Sequence, residues 1–432
     1  MQRAEKGEMA AVVGEGSLRG MRVAAKLADS PGSAPGFFNP KRRVGRDFVV
    51  LSVARWLAKQ SELDKHRRRG WTRPARLLDA MCASGIQGLR VVSEAPLIAK
   101  EANGAETLDL LVVLNDVDSD AADLAVTNVQ QLISSNNAAE LKVDITRRVA
   151  QALMHEESFD VCVLDPFGSV VPFLDAALAR APHEGLLEVC ATDLGALYGA
   201  RPAVTLRHYG AKIAHKRPPC YKERGVRLLL AAVAQAAGRQ GRGIEAVMSV
   251  STEHFVLVSV RVIRGARGAD ETAQQLQKLR ICRSCSACTF SPGVPQCGCE
   301  SKDGAGADAR EEGPFWVGAM HDAEDVAAIA AMADLPAAAE VIADETRTLL
   351  ATLKEEALVQ GIFYRRPQGV VAAGKRTPKL AHVIAELQRR GHAVARTHFD
   401  DFALKTDASV HDFELAVNGA ADEQWPSSGS KH

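Results

Sequence analysis

At 432 residues the chain exceeds the length at which one hydrophobic core usually keeps growing, so two or three domains are expected. With 53 basic and 53 acidic residues there is no overall polyanion-binding charge, and no apolar stretch reaches the roughly 18 residues of a membrane span, so a soluble protein is expected. Arg3, Lys6, Arg19 and Arg22 alternate with Glu5, Glu8 and Glu15, which fits neither a secretory leader nor a transit peptide.

Charge is unevenly placed along the chain. The basic residues between Lys41 and Arg76, and again between Arg201 and Arg227, suit either a track for a phosphate backbone or a solvated face. Leu77-Leu78-Asp79-Ala80 ends a short apolar run and opens onto Ala83-Ser84-Gly85-Ile86-Gln87-Gly88, a small-residue turn leading into a helix. That turn suits ligand binding or simple packing. A second strand is expected over Leu110 to Leu114, closed by Asn115-Asp116. Ser119 to Ile133 then carries apolar residues at helical spacing, with Ser119 as N-cap. Strands follow at Leu141 to Asp144, Phe159 to Leu164, Leu186 to Ala191 and Phe255 to Val262, with a helix over Val226 to Ala237. This alternation predicts an α/β fold, a mostly parallel, doubly wound sheet over roughly residues 40 to 265.

The fourth strand breaks at Asp165-Pro166-Phe167-Gly168. Such a tetrad suits an ordinary strand exit. It also delivers a carboxylate, a rigid turn and an aromatic ring to the edge where open α/β sheets hold ligands. The exocyclic amine of a base is a poor nucleophile, and an acceptor such as Asp165 can hold its protons while Phe167 stacks on the ring. Acids also stand at the earlier strand ends: Asp79, then Asp116 where a ribose hydroxyl pair would be held, then Asp144 toward an adenine amine. Asp116 follows Gly85 by 31 residues rather than about 20, and a polar insertion over Glu94 to Thr107 accounts for the excess.

On these motifs the chain resembles the tRNA (guanine-26-N2) dimethyltransferase family, class I S-adenosylmethionine-dependent methyltransferases. The resemblance runs through Phe37-Phe38-Asn39-Pro40, Gly45-Arg46-Asp47, Leu78-Asp79-Ala80, Ser84-Gly85-Ile86, Asn115-Asp116, Leu164 to Ser169, Ala191-Thr192-Asp193, Tyr209-Gly210, Glu223 and Arg227. It continues through Gly313 to Gly318, His321-Asp322, Thr397-His398-Phe399 and Lys405-Thr406-Asp407. It implies a Rossmann-like methyltransferase sheet with a smaller α+β C-terminal domain. It implies S-adenosyl-L-methionine held by Arg46, Asp79, Gly85, Gln87, Asp116, Asp144 and Ile145, and methyl transfer to guanine N2 of tRNA at Asp165, Pro166 and Phe167. Gly45 stands where the family usually has Asn, Gln87 where it commonly has Arg, and Val170 where it often has Pro. Gln cannot make the bidentate charged pair that Arg makes with a carboxylate, which leaves Arg90 as the nearby base that could substitute. A catalytically silent RNA-binding homologue and an amino methyltransferase for another base are the alternatives.

Five of the nine cysteines crowd into residues 282 to 299, whereas Cys82, Cys162, Cys190 and Cys220 are scattered as reduced thiols of an intracellular protein. The cluster suits a structural zinc site or unligated thiols, with Cys288 as a spare; since some family members bind zinc in this region, the expected ligands are Cys282, Cys285, Cys297 and Cys299. The expected division is an extension over 1–35, the methyltransferase domain over 36–265, a Cys-rich insertion and linker over 266–312, a tRNA-binding domain over 313–410 and a polar tail over 411–432. Helices are expected over Asp322 to Leu353 and Thr377 to Arg390. Trp316 and Phe399 suit either base stacking or the core.

Overall fold

The computed structural model describes residues 10–12, 15–18, 22–24, 38–67, 73–104, 109–136, 141–214, 218–283, 287–293, 295, 297 and 308–424. A short antiparallel pair, β1 (Ala10–Val12) and β2 (Arg22–Ala24), precedes the main sheet. That sheet is built from β3 (Ala75–Asp79), β4 (Leu110–Asn115), β5 (Lys142–Thr146), β6 (Val161–Leu164), β7 (Leu186–Ala191), β8 (Arg242–Ser251) and β9 (Val256–Arg264), in the order β5-β4-β3-β6-β7-β9-β8. The first five run parallel, whereas β9 is antiparallel to both its neighbours. Val161 to Leu164 and Leu186 to Ala191 are wholly buried, as expected of central strands covered on both faces.

Strand β8 and one long helix are absent from the periodicity reading. Gly243, Ala246, Ser249 and Ser251 dilute the β-branched signal of β8, which only its pairing with β9 makes a strand. Helix α1 (Arg43–Arg67) lacks a polar stripe because it is enclosed. It packs against α2 (Ile86–Asn103), β7 and the C-terminal helices Ala323–Ala333 and Asp344–Glu356, so Phe48, Val50, Leu51, Val53 and Leu57 are all fully buried. Helix α2 itself corrects the supposed insertion: Glu94 to Asn103 is its second half, with Pro96 inside the helix.

Several cations of the basic stretches are engaged within the fold. Arg42 pairs with Asp165, Arg46 with Glu15, Arg55 with Asp325, Arg73 with Asp160, and Arg76 with Glu157. Farther along, buried Arg224 meets Glu312, and Arg227 meets Glu223. These guanidinium groups hold the fold together.

The Cys-rich region is partly sheet: β10 (Leu276–Cys282), β11 (Cys288–Phe290) and β12 (Ala309–Trp316) form an antiparallel sheet ordered β11-β10-β12, so the end of the supposed linker is strand. Pro336 divides the expected C-terminal helix, since it starts a short separate turn over Pro336–Ala339. Trp316 and Phe399 are core residues, 4% and 2% exposed, which removes them as stacking platforms. The last unit pairs β13 (Val394–Arg396) with β14 (Leu404–Thr406) and packs helices Leu380–Arg389 and Val410–Gln424 around a small core of Val383, Leu387, Leu404, Phe413 and Val417. The tail expected from residue 411 is thus a packed helix through Gln424. No helix among the described residues is long and apolar enough to cross a membrane.

Two buried carboxylates join the halves. Asp47 accepts from Ala343 N–H at 3.0 Å and Thr346 Oγ1 at 2.7 Å at the start of helix Asp344–Glu356, and pairs with Arg90 at 2.7 Å. Glu223 accepts from the amides of Phe363 and Tyr364 at 2.9 and 2.8 Å and pairs with Arg227 and Lys405. Asp47→Ala leaves fully buried Arg90 short of a partner and uncaps the helix, so a loss of about 3–5 kcal/mol is expected in urea unfolding. A loss under about 1 kcal/mol would show that the remaining partners suffice.

Candidate active site

Parallel register sets the site. Asp79 lies level with Leu114 on β4 and Val163 on β6, so Asp116 and Asp165, each two residues further along, share its pleat at the same sheet edge. The turn after β3 closes this rim. Ala83 takes a positive φ of 50° and donates its N–H to Asp116 at 2.9 Å, while Gly85, at φ 77°, begins α2. Gly88 brings α2 against the sheet: a Cβ there would stand 2.3 Å from Leu114, and its N–H donates to Asp79 at 3.2 Å.

The expected cofactor residues divide into two groups. Asp79, Gly85, Gln87 and Asp116 gather at the rim. Gln87 Nε2 is buried with no acceptor among the described residues, so the turn holds an unused donor. Arg46 is engaged elsewhere: its guanidinium meets Glu15 and the Asn39 carbonyl and lies 4.9 Å over Phe38. Asp144 does not end its strand as expected. It sits mid-β5 opposite Val113, exposed, and Thr146 is the terminal residue; Ile145, opposite Leu114, is half-buried. Arg90 is not available as a substitute for the missing Arg, being enclosed by Glu94, Asp47 and the Val341 carbonyl.

On the acceptor side, Asp165 follows β6 with its side chain 33% exposed, Pro166 is buried, and the Phe167 ring stands 57% exposed. The tip of β7 clamps this loop. Thr192 Oγ1 accepts from Gly168 N–H at 2.8 Å, Thr192 N–H donates to the Gly168 carbonyl at 3.1 Å, and Tyr209 O–H donates to Asp193 at 2.6 Å. Val170 is wholly buried and Pro172 lies in the first turn of the following helix, so the missing Pro does not open the turn. Sequence reasoning missed Arg42. Asn39 accepts from Lys41 N–H at 3.0 Å and caps a 3₁₀ turn over Pro40–Arg42, and Arg42 Nη2 then lies 2.8 Å from both Asp165 oxygens. The Asn-Pro motif was its available signal.

Of the expected zinc ligands, Cys282 ends β10 and is buried, and Cys297 is half-buried; Cys285 and Cys299 lie outside the described residues. Cys288 lines a different feature, a cavity of about 290 Å³ shared with Cys220, Tyr364 and Phe413. A second group, His321, Glu356 and His398, has ligand atoms within 4.8 Å of one another. These side chains also join a buried hydrogen-bond network. Ser249 N–H donates to His321 Nδ1 at 3.4 Å and Ser251 N–H to His398 Nε2 at 3.3 Å, and His398 Nδ1 meets Glu356 at 2.7 Å. Burial holds His321 down at about 4, so it is neutral.

Asp79 is pushed up to about 8 by burial, then by the charges of Asp165 and Asp116, with Gly88 N–H acting the other way. The folded protein thus keeps a proton that the unfolded chain releases near 3.8, so this contribution to stability is whole below that pH and declines as pH rises toward 8. Asp79→Asn is expected to flatten the fall of urea midpoints between pH 5 and 8. Glu188, raised to about 8 by burial, keeps its own share of the slope. An unchanged slope in the variant would place the proton elsewhere.

Comparison with known proteins identifies the family. The family model for N2,N2-dimethylguanosine tRNA methyltransferase matches residues 21–417. A tRNA (guanine(26)-N(2))-dimethyltransferase of Haloarcula marismortui is 30% identical over 92% of this chain and 98% of the relative, and that of Methanospirillum hungatei is 31% identical over 90% and 93%. A mouse tRNA (guanine(27)-N(2))-dimethyltransferase is 34% identical over 54% of this chain, which spans about a third of that relative's length, 31%. Trm1 from Pyrococcus horikoshii, solved with S-adenosyl-L-methionine, superposes with a TM-score of 0.70 at 26% identity over 91% of this chain and 98% of that one. The chain therefore belongs to the family of S-adenosylmethionine-dependent methyltransferases that form N2,N2-dimethylguanosine in tRNA.

Proposed function

We propose that the protein transfers methyl groups to the N2 amine of a tRNA guanine, at position 26, with Asp165 as the group that holds the amine. The carrying observation is the placement of Asp165 at the tip of β6, beside Asp79 and Asp116 on one rim. The rim suits S-adenosyl-L-methionine: Asp116 can accept from ribose hydroxyls, Gln87 offers its unused donor to a carboxylate, and the acids favour a cation. Asp144 and Ile145 would border the adenine from β5, and Arg46 would act only after leaving Glu15. When bound, the cofactor supplies an electrophilic methyl on a sulfonium.

The remaining tasks are alignment and late proton removal. Asp165 accepts hydrogen bonds from the amine and so aims its lone pair. As the new C–N bond formed, the methyl–sulfur bond of the donor would break to leave a neutral thioether, and the amine proton would pass to Asp165 and on to solvent. Pro166 holds the turn rigid, and Phe167 offers an exposed ring for a base turned out of its stack. The C-terminal unit would hold the tRNA body, supported by exposed Arg376, Lys379 and Arg396 on its surface. Labelled cofactor and unmodified tRNA are expected to yield N2-methylated and N2,N2-dimethylated guanine at position 26. Asp165→Ala should lower transfer by about a hundredfold or more with unchanged unfolding. Label on adenine would overturn the reading, and label at position 27 would replace the position, in line with the mammalian relatives' names.

Zinc is proposed as a structural ion on Cys282, Cys285, Cys297 and Cys299, supported by the β10–β11 hairpin that fixes the first of them. Such an ion would tie the loops beyond this hairpin without entering the reaction. Elemental analysis is expected to find about one zinc per chain, lost in Cys282→Ser. Protein purified without chelators and free of zinc would remove the site.

A further inference from the structure

Arg42 occupies an unusual place. Its Nη2 lies 2.8 Å from Oδ1 and 2.8 Å from Oδ2 of Asp165, so it sits in front of the carboxylate and takes the inward lone pairs of both oxygens together. Guanine presents N1–H and the N2 amine side by side on its edge, and this pair would seek those same two lone pairs. Both cannot be satisfied at once. The guanidinium also has somewhere to rest, lying 4.8 Å over the ring of Phe255, with Nη2 2.8 Å from Cys190 Sγ. Gly45 leaves room for that ring, since a Cβ at this position would meet Phe255 at 3.1–3.4 Å. Arg42 Nε is buried without an acceptor among the described residues, so the side chain retains a donor not used in this pairing.

We propose that Arg42 is a positioning residue of the acceptor site, holding the carboxylate of Asp165 aimed in the empty protein and yielding its face to the guanine edge. The proposal rests on the methyltransferase reading above. Arg42 is the cation that touches this half-buried carboxylate, and it engages both oxygens at once. A base with two adjacent donors can replace the guanidinium, whereas one that offers a donor beside an acceptor cannot satisfy both oxygens.

The test uses the full chain, labelled cofactor and unmodified tRNA, with kcat and KM for tRNA measured from pH 5.5 to 9 for the native protein, Arg42→Met and Arg42→Lys. For Arg42→Met kcat is expected to fall about tenfold, with no rise in KM for tRNA. Arg42→Lys, which keeps a cation facing the carboxylate, should restore most of kcat. An unchanged kcat in Arg42→Met, or a KM that rises while kcat holds, would make Arg42 a structural or phosphate-binding residue and overturn the proposal alone. Failure of the native protein to methylate tRNA would overturn the methyltransferase reading and this proposal with it.

Discussion

Three carboxylates at one sheet edge set the problem that the rest of the site resolves. Parallel pairing of β3 with β4 and β6 brings Asp79, Asp116 and Asp165 together whether or not their charges agree. Each is accommodated differently. Asp79 is favoured in its protonated form, Asp116 accepts backbone N–H groups from Ala83 and Asp118, and Asp165 faces Arg42. The result is an acceptor-rich rim suited to a cationic cofactor and to a base that approaches with its donors.

Arginine does much of the joining in this protein. In the helix α1, adjacent residues look two ways: Arg46 meets Glu15 and the Asn39 carbonyl, while Asp47 caps the C-terminal helix Asp344–Glu356 and meets Arg90. Glu223 repeats the device from helix Tyr221–Arg239, gathering Arg227, Lys405 and two amides. Buried ion pairs of this kind add little net stability, but breaking one strands a charge. They fix how the later segments seat on the methyltransferase sheet. Several of the basic residues that suggested RNA contact are therefore internal ties.

Much of the fold was legible because central strands and amphipathic helices carry local signals. Val161 to Leu164 could be seen as a buried strand, and Ser119 to Ile133 as a helix, from neighbouring residues alone. Helix α1 could not, since burial on several sides erases the polar stripe, and β8 could not, since its Gly, Ala and Ser residues become a strand through pairing with β9. For the site, Asp79, Asp116 and Asp165 were legible as acids at strand ends. Arg42 was not: Asn39-Pro40 marks the turn that carries it, but its partner lies 123 residues downstream.

By itself the sequence determined the strand and helix alternation, the carboxylates at strand ends, the Asp165-Pro166-Phe167-Gly168 turn and the family, because each is written in short, contiguous stretches. Only the tertiary structure decided which charges meet. Long-range packing paired Arg42 with Asp165, took Arg46 to Glu15 and enclosed Arg90, left Gln87 with an unused donor, and placed Asp144 mid-strand rather than at a tip. A charge pattern along the chain states what is available to pair. The partner chosen depends on burial and distance, and these exist only once the chain has folded.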